Sequence, residues 1–208
     1  MVTYDRRPVD NRTEATVYSR RMMPRRGSAD LYRTTRVALR RITHEDQDVF
    51  TRLARASARH FQPWINAPTT AAEFDAYLAR FDQNTAEGLL LCIRETGNIA
   101  GFVNISEIVR DPYHRGTLGY GTFAPSAGQG YMSEGFSTVF RFAFNDLGLH
   151  RLEADIQPGN NASLNLVKKL GFQNEGYSPG LVFINGAWRD HERWAITSGI
   201  MQPSAAGP

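Results

Sequence analysis

A glycine-rich segment over residues 128–134, Gly-Gln-Gly-Tyr-Met-Ser-Glu, has the first pattern that points to chemistry. Glycines let the backbone turn tightly and remove side chains from the path of a ligand. Several amide N–H groups then point outward together at the positive end of the following helix, which makes a site for a phosphate or diphosphate. Ser133 is placed to cap this helix or to donate to a phosphate oxygen. A capped helix start without a ligand accounts for the pattern equally well, and neither a Walker loop nor a dinucleotide fingerprint is present.

A second polar pattern consists of Asn160 and Ser163, three residues apart at the start of a predicted helix. The simplest interpretation is that Asn160 caps this helix. A cap explains less well why the same chain has a phosphate-type loop one strand earlier, and why Gly171-Phe172 closes the short helix. The occurrence of both patterns in one chain is what favours a ligand site over two ordinary caps.

Hydrophobic periodicity and turn signals predict the elements that hold these residues. Strands are predicted over residues 36–41, 89–94, 99–108, 118–123, 150–156, 181–184 and 188–196. Helices are predicted over residues 132–146 and 162–170, and after the capping patterns Thr43/Asp46 and Thr70/Glu73. Asn185-Gly186 is a strong two-residue hairpin signal. The resulting order, β-α-α-β-β-β-α-β-α-β-β, predicts an α/β (α+β) domain.

Length and composition indicate the class of protein. With 208 residues and 41% hydrophobic content, the chain is expected to form one domain over residues 34–198 and a short tail over residues 199–208. It has no apolar run of the roughly 20 residues that span a bilayer and no apolar signal sequence, so we expect a cytoplasmic protein without membrane contact. The single cysteine, Cys92, lies in the apolar run 89–93. We therefore expect it to pack in the core, and we expect neither a disulfide nor a metal site.

Positive charge is concentrated at the start of the chain. Residues 1–41 contain eleven arginines and four acidic residues, a net charge of +7, whereas the whole chain carries +3. A basic segment of this kind is able to contact RNA, the ribosome or an acidic protein. The alternative is a solvated, loosely ordered extension over residues 1–33 without a partner.

Taken in order, the motifs resemble those of a known family, the GNAT superfamily of acetyl-coenzyme A dependent N-acetyltransferases. The resemblance covers about residues 34–198, and it rests on Gly128-x-Gly130, His150-Arg151, Asn160-x-x-Ser163 and Leu170-Gly171-Phe172. Glu175-Gly176-Tyr177 and residues 185–191 are similar to the branch that acetylates the N-terminal alanine of ribosomal proteins. The resemblance implies a mixed, mostly antiparallel sheet that is splayed at its centre and flanked by about four helices.

The resemblance also implies how acetyl-coenzyme A (acetyl-CoA) is held. The pantetheine arm would pair with residues 119–124, which include Thr122, Phe123 and Ala124. The diphosphate would meet the amides of Gly128, Gln129, Gly130, Tyr131, Met132 and Ser133, while Asn160 would hydrogen-bond the pantetheine. Ala127 and Met132 depart from the residues that the family usually has in this loop, but the backbone amides survive both changes. The amine would attack the thioester directly, so Cys92 is not expected to act as a nucleophile.

The catalytic residues follow less directly from the resemblance. The tyrosine that many members use to protonate the departing thiolate falls at Val167. Similarity to the ribosomal-protein branch assigns this role to Ser163, the alternative being a purely capping serine. Related enzymes often have a glutamate just before the Gly-Tyr of the fourth strand, where this chain reads Thr117-Leu118-Gly119-Tyr120. Glu107 is the first substitute for the general base, and a solvated surface carboxylate is the alternative.

Other residues have both a structural and a functional interpretation. Glu134 lies in the first helical turn, where a negative charge is stabilising in any case. His150 and His191 have suitable intrinsic pKa values for a base, but a single histidine is more often structural. Aromatic side chains able to line an acceptor groove, or to pack in the core, are Tyr131, Tyr177 and Trp188.

The sequence therefore predicts acetyl transfer to a protein N-terminal amine, with a ribosomal protein as the leading acceptor. A basic leader would repel a basic ribosomal protein, so other functions stay open. They are acetylation of a small amine such as an antibiotic or polyamine, a non-catalytic coenzyme-binding regulatory module, and RNA binding through the leader. The sequence leaves open whether the protein is a monomer or a homodimer.

Overall fold

The computed structural model describes residues 29–201, which form eight strands and six α-helices. The predicted basic leader and its RNA contact lie largely outside the described residues, as does most of the predicted tail. The strands are β1 (Tyr32–Arg33), β2 (Val37–Arg41), β3 (Glu87–Ile93), β4 (Ile99–Val109), β5 (Arg115–Thr122), β6 (Arg151–Ile156), β7 (Gln173–Ile184) and β8 (Ala187–Thr197). The helices are α1 (Gln47–Ala56), α2 (Ala58–Phe61), α3 (Ala71–Leu78), α4 (Tyr131–Arg141), α5 (Asn161–Lys169) and α6 (Ser198–Met201).

The strands form one sheet in the order β1-β2-β3-β4-β5-β6-β8-β7. Neighbouring strands are antiparallel except β5 and β6, which are parallel and pair only between residues 115–117 and 151–153. Beyond these three pairs β5 runs on to Thr122 and β6 to Ile156 without pairing to each other. The mixed, mostly antiparallel sheet with a splayed centre is therefore confirmed.

Around β3 the sheet is buried on both faces, which explains why the sequence of this strand is a continuous apolar run. Leu89 and Leu91 belong to one core cluster, and Leu90 and Cys92 belong to the other, because successive side chains of a strand point to opposite faces. The first cluster packs against α4 and α5, and the second against α1 and α3. Cys92 is 7% exposed, as the sequence predicts for a core thiol.

The two capping patterns predicted from the sequence, at Thr70 and at Thr43, have different outcomes. At Thr70 the capping box is confirmed, since Glu73 N donates to Thr70 Oγ1 and Thr70 N donates to Glu73 Oε2, both at 3.2 Å. At Thr43 the capping box instead opens a single 3₁₀ turn, His44–Asp46, and α1 begins only at Gln47. The buried Asp46 carboxylate also binds Arg40, which fixes this turn to β2.

The helix predicted over residues 132–146 is α-helical only as far as Arg141. Residues Phe142–Asp146 form a π-helical turn, in which Leu147 N donates to Phe142 O at 3.0 Å. The wider turn keeps both Phe142 and Ala143 buried in the first core cluster.

The C-terminal hairpin is longer than the sequence predicts. Asn185 and Gly186 have φ values of 50° and 78°, so the two-residue turn with left-handed residues is confirmed. β7 begins at Gln173 rather than Leu181, with interruptions in register between Asn174 and Gly176 and after Ser178. At the other edge, β1 adds Tyr32–Arg33 to the sheet, just before the predicted domain start.

Over residues 29–201, none of the helices has the length and apolar character needed to cross a bilayer.

Candidate active site

A cavity of about 740 Å³ opens where β5 and β6 separate. One wall is the part of β5 over residues 118–122, and the opposite wall is residues 154–157 together with the start of α5 at residues 160–163. A second cavity of about 580 Å³ adjoins it on the side of α1 and α3, and Phe61, Ile65 and Tyr77 line both. Because β5 and β6 separate, residues 118–122 and 154–157 line a cavity at the centre of the sheet instead of pairing with each other.

The glycine-rich loop lies at the start of α4, beside the splay. Gly128 and Gly130 have φ values of 73° and 79°, a conformation that L side chains rarely adopt. A β carbon at residue 128 would meet no atom within 4 Å, so the space beside it is open. Gly130 occupies the N-cap position of α4, and residues 128–130 are exposed. The loop thus has the backbone that the glycines predict, with the helix dipole pointing its positive end outward.

Arg36 and Glu134 brace this loop. The Glu134 carboxylate accepts from the Thr34 hydroxyl at 2.6 Å, from Arg36 N at 2.8 Å and from Arg36 Nε at 2.6 Å. Arg36 Nη1 also donates to Gln129 O at 3.1 Å. Partial burial alone would raise the pKa of Glu134, but the hydrogen bonds from Thr34 and Arg36 outweigh it and lower the pKa. Glu134 is therefore ionised at neutral pH, and Arg36 balances its charge beside the helix start.

At the start of α5, Asn160 acts as the N-cap that the spacing predicts. Asn160 Oδ1 accepts from Ser163 N at 3.2 Å. The Ser163 hydroxyl lies 2.5 Å from the Tyr120 hydroxyl, and both residues line the cavity. Burial raises the pKa of Tyr120 to about 12, against an opposing effect of the hydrogen bond with Ser163. Ser163 thus donates its backbone N–H to the Asn160 cap, and its hydroxyl contacts Tyr120 across the cleft.

Sequence reasoning did not single out Tyr120, although it quoted the Gly119-Tyr120 pair. The available signal was its position in the strand whose edge becomes free, with a glycine on either side. Its partner Ser163 is 43 residues away in the chain. Their contact follows from tertiary structure, which local spacing does not report.

Glu107 lies in β4, at the point where the pairing of β4 with β5 becomes irregular. The register shifts between Ser106 and Val109, and Glu107 has a φ of 51°. Such a conformation costs a non-glycine residue on the order of 1 kcal/mol, and a bulge of this kind redirects a side chain. Thr117 Oγ1 donates to Glu107 Oε2 at 3.0 Å, so the carboxylate lies against the start of the segment Thr117-Leu118-Gly119-Tyr120. Glu107 is exposed and lines the cavity.

Asp155 and His191 are further titratable residues of the cavity wall. Asp155 lies on the face of β6 opposite Ala154 and Ile156, and partial burial raises the pKa of its carboxyl; Glu153 and Glu107 raise it further, whereas His191 and Arg193 lower it. His191 is 3% exposed, and its Nδ1 donates to Arg189 O at 3.0 Å.

His150, the other candidate base, is exposed and lies outside the cavity wall, with Nδ1 3.2 Å from Ser198 Oγ. The alternation of polar and apolar residues in β6 was the signal that could have identified Asp155.

The residues predicted to contact the pantetheine or the diphosphate differ in how accessible they are. Thr122 and Met132 line the cavity, whereas the Phe123 side chain is fully buried in the second core cluster. Phe123 N already donates to Ala100 O, and Ala124 N already donates to Ser57 Oγ. Their carbonyls also accept already, from Ser126 N at 2.8 Å and from Ala127 N at 3.2 Å, so each residue has only a second carbonyl lone pair to offer to a ligand.

Aromatic residues of the C-terminal hairpin lie on the surface. Trp188 is 67% exposed and Tyr177 is 52% exposed, so core packing is wrong for both. Tyr131 packs under the Arg36 guanidinium, 4.9 Å from the ring centroid. Neither Tyr177 nor Trp188 lines the cavity. Its lining includes Trp64, which was not among the predicted site residues, and the hairpin residues Val182 and Ile184.

Comparison with known proteins identifies the family. Residues 36–173, well over half of the chain, match the family model described as Acetyltransferase (GNAT) domain. The ribosomal protein uS5-alanine N-acetyltransferase of Escherichia coli (strain K12) is 36% identical over 100 residues, which are 48% of this chain and 52% of that protein. The chain thus spans about half the length of the curated relatives it matches.

Solved structures have the same architecture. The ribosomal-protein-S5-alanine acetyltransferase from Vibrio fischeri superposes with a TM-score of 0.72 at 25% identity, over 83% of this chain and 98% of that chain. The spermidine N-acetyltransferase from Vibrio cholerae, in complex with CoA and spermine, superposes with a TM-score of 0.68 over 80% of this chain and 98% of that chain. At 20% identity the latter likeness shows the fold alone. Since the family match, the splayed parallel pair and the glycine loop at the start of α4 agree, this protein belongs to the acetyltransferase (GNAT) family.

Proposed function

We propose that this protein transfers the acetyl group of acetyl-CoA to an amine by direct attack on the thioester. The observation that carries the proposal is the separation of β5 from β6 beyond Thr117 and Glu153, which opens the cavity between the α4 loop and Ser163. A narrow cleft at the centre of a sheet suits a long, thin donor, and an amine can approach from the opposite side. Membership of the acetyltransferase family supports the same reaction.

The donor would lie along the free edge of β5. Residues 119–122 pair with β4 on one side and have no strand partner on the other, so main-chain groups on the free side are open to the pantetheine amides. The diphosphate would sit on the amides of residues 128–133, at the positive end of α4. Asn160, whose Oδ1 is engaged by Ser163 N, would contact the pantetheine through its amide nitrogen.

The proposed chemistry needs a base and a group that stabilises the leaving sulfur. Glu107, directly or through a water molecule, would take the proton from the acceptor ammonium. The amine nitrogen would then attack the carbonyl carbon, the C–S bond would break with its electron pair going to sulfur, and the nitrogen would lose its second proton to water. Ser163 would stabilise or protonate that sulfur through its hydroxyl. The cavity brings Glu107 and Ser163 to the same space, which supports these roles.

We propose a protein N-terminal α-amine as the acceptor, with a ribosomal protein as the leading case. Support comes from the E. coli relative, whose name gives a ribosomal-protein alanine as its acceptor, and from the V. fischeri structure of similar title. A polyamine is the second candidate. It is favoured by two carboxylates in the cavity, Glu107 and Asp155, and by the fold likeness to a spermidine acetyltransferase.

A competition assay tests the proposal. Purified protein and acetyl-CoA are incubated with peptides that begin with different residues, with the same peptides blocked at the N-terminus, and with spermidine. Thiol release and the mass of each product are measured. We expect Nα-acetylation of the alanine peptide and no product from its blocked form. Turnover of spermidine alone would overturn the acceptor, and tight binding of acetyl-CoA without thiol release from any amine would overturn catalysis in favour of a regulatory module.

A further inference from the structure

Tyr120 and Ser163 form a pair of hydroxyl groups, of which the proposed reaction uses only that of Ser163. Their oxygens are 2.5 Å apart, and both side chains line the cavity. Tyr120 lies in β5, where its backbone pairs with Val103, and its ring packs edge-on against Phe136 with a centroid distance of 5.2 Å. The phenol is therefore held from behind by a strand and an aromatic contact, and its oxygen meets Ser163 at the cavity wall.

The direction of this hydrogen bond decides what Ser163 is able to do. Each hydroxyl has one proton. If Ser163 donates to Tyr120, the serine proton points back into the protein and is lost to a ligand. If Tyr120 donates, the serine oxygen acts as acceptor and its own proton is free to point into the cavity.

Two features favour donation by Tyr120. A phenol is a stronger acid than an aliphatic alcohol, so the phenol is the better donor and the serine oxygen the better acceptor of the pair. Burial raises the pKa of Tyr120 to about 12, so the phenol still has its proton throughout the neutral range. The Ser163 amide is already engaged by Asn160 Oδ1 at 3.2 Å, which fixes the serine backbone at the start of α5. With its oxygen accepting from Tyr120, Ser163 has its own proton free for the cavity that both side chains line.

We propose that Tyr120 is a positioning residue, which donates to Ser163 Oγ and thereby directs the serine proton at the thioester sulfur. The inference rests on the proposed function, in which Ser163 faces that sulfur. As the amine nitrogen bonds to the carbonyl carbon, the C–S bond breaks and its electron pair stays on sulfur, where the Ser163 O–H stabilises the developing charge. Glu107 passes the ammonium proton to solvent, the nitrogen loses a second proton to water as the amide forms, and the released thiolate takes a proton from water.

Steady-state kinetics of Tyr120→Phe, Ser163→Ala and the double variant test the inference. We expect Tyr120→Phe to lower kcat about tenfold, with the KM for acetyl-CoA changed by less than about twofold. The double variant should be no slower than Ser163→Ala, because the tyrosine acts only through the serine. Rates with acetyl thioesters of more and less acidic thiols should depend more steeply on thiol acidity in both single variants. Tyr32→Phe is the matched control, since Tyr32 is also a half-buried tyrosine on the first core cluster but lies away from the cavity.

A second substitution separates positioning from packing. A difluorinated tyrosine at position 120 keeps the ring and the hydroxyl but makes the phenol more acidic. We expect near-normal kcat at pH 7 and a loss of kcat as the pH rises, since the phenolate no longer donates. Wild type should show no such limb over the same range, because its Tyr120 pKa is about 12.

The possible failures are distinguishable. An unaffected kcat in Tyr120→Phe, or losses that add in the double variant, would overturn the inference while Ser163→Ala remains impaired. Full activity of Ser163→Ala would overturn both the serine role and the inference. Absence of thiol release by wild type would overturn the proposed function itself. The melting temperature and acetyl-CoA affinity of each variant, measured by calorimetry, show whether the fold and the donor site are intact.

Discussion

The side of the cavity that faces α4 and the side that faces β4, β6 and β8 are built differently. The α4 side consists mainly of main-chain groups at the free edge of β5, and the loop over residues 128–133 adjoins it at Met132, which lines the cavity. The opposite side consists of side chains from separate segments: Arg80, Glu107, Asp155 and His191. We call these the donor side and the acceptor side. A site made of backbone tolerates changes of side chain, such as Ala127 and Met132 here, whereas a site made of side chains does not.

Backbone conformation shows the same contrast. Gly128 and Gly130 adopt positive φ on the donor side at little steric cost, because glycine has no β carbon. Glu107 adopts positive φ on the acceptor side, where the cost is on the order of 1 kcal/mol. A glycine at residue 107 would relieve that cost but would supply no carboxylate.

The largest expected effect is on the acceptor side. We predict that Glu107→Gln lowers kcat/KM by about 100-fold, because the amide cannot take the ammonium proton, while acetyl-CoA binds as in wild type. Initial rates and calorimetry with the same preparation measure the two quantities. Glu95→Gln, at an exposed carboxylate in the β3–β4 turn, is the control. If Glu107→Gln retains full activity and Asp155→Asn loses it, the base belongs to β6 and the assignment of Glu107 is wrong.

A smaller effect is expected on the donor side. Gly128→Ala should weaken acetyl-CoA binding by about tenfold, since the methyl group enters open space beside the amides and the left-handed backbone becomes strained. Gly97→Ala is a matched control, because Gly97 has a φ of 74°, has no atom within 4 Å of an added β carbon and lies in the β3–β4 turn. Both variants should lose about 1 kcal/mol of unfolding free energy, but only Gly128→Ala should lose affinity. Equal affinity in the two variants would move the diphosphate away from this loop.

The same contrast explains what could be predicted from sequence. Glycine spacing, capping patterns and apolar runs are local, so the α4 loop, the Thr70 cap and the burial of Cys92 in β3 were all accessible from the sequence. The splayed sheet came through the family resemblance. Glu107 was named without its geometry, because a shift in register between β4 and β5 depends on how two strands pair.

Contacts between distant segments were not accessible in this way. Tyr120 meets Ser163 across 43 residues, and Asp155 acquires its environment from His191 and Glu107 on other strands. Side-chain sites assembled from four segments leave no short-range pattern. The acceptor side is therefore also where the physiological amine is hardest to infer.

The smallest expected effect is on stability, and it tests whether the acceptor side holds negative charge at a cost. Partial burial raises the pKa of Asp155, and Glu153 and Glu107 add to this, whereas His191 and Arg193 oppose it. A carboxyl whose pKa is higher in the folded than in the unfolded protein destabilises the fold above its unfolded pKa, and the penalty disappears as the pH falls through the folded pKa. Asp155→Asn should therefore raise Tm at pH 7 by at most about 2 °C, because solvent screens an exposed group, and should match wild type near pH 3.

Asp190→Asn, on the neighbouring strand β8, should change Tm in the opposite direction. Asp190 accepts from the Tyr177 hydroxyl and from Gly180 N, and these hydrogen bonds lower the pKa of its carboxyl. Its stabilising effect is present above the unfolded pKa and is lost as the pH falls, so this variant should lower Tm at pH 7 and converge with wild type in acid. Thermal unfolding from pH 3 to pH 8 measures both. A fall of Tm in Asp155→Asn at pH 7 would mean that the carboxylate supports the fold, and the acceptor side would then hold its negative charge without cost.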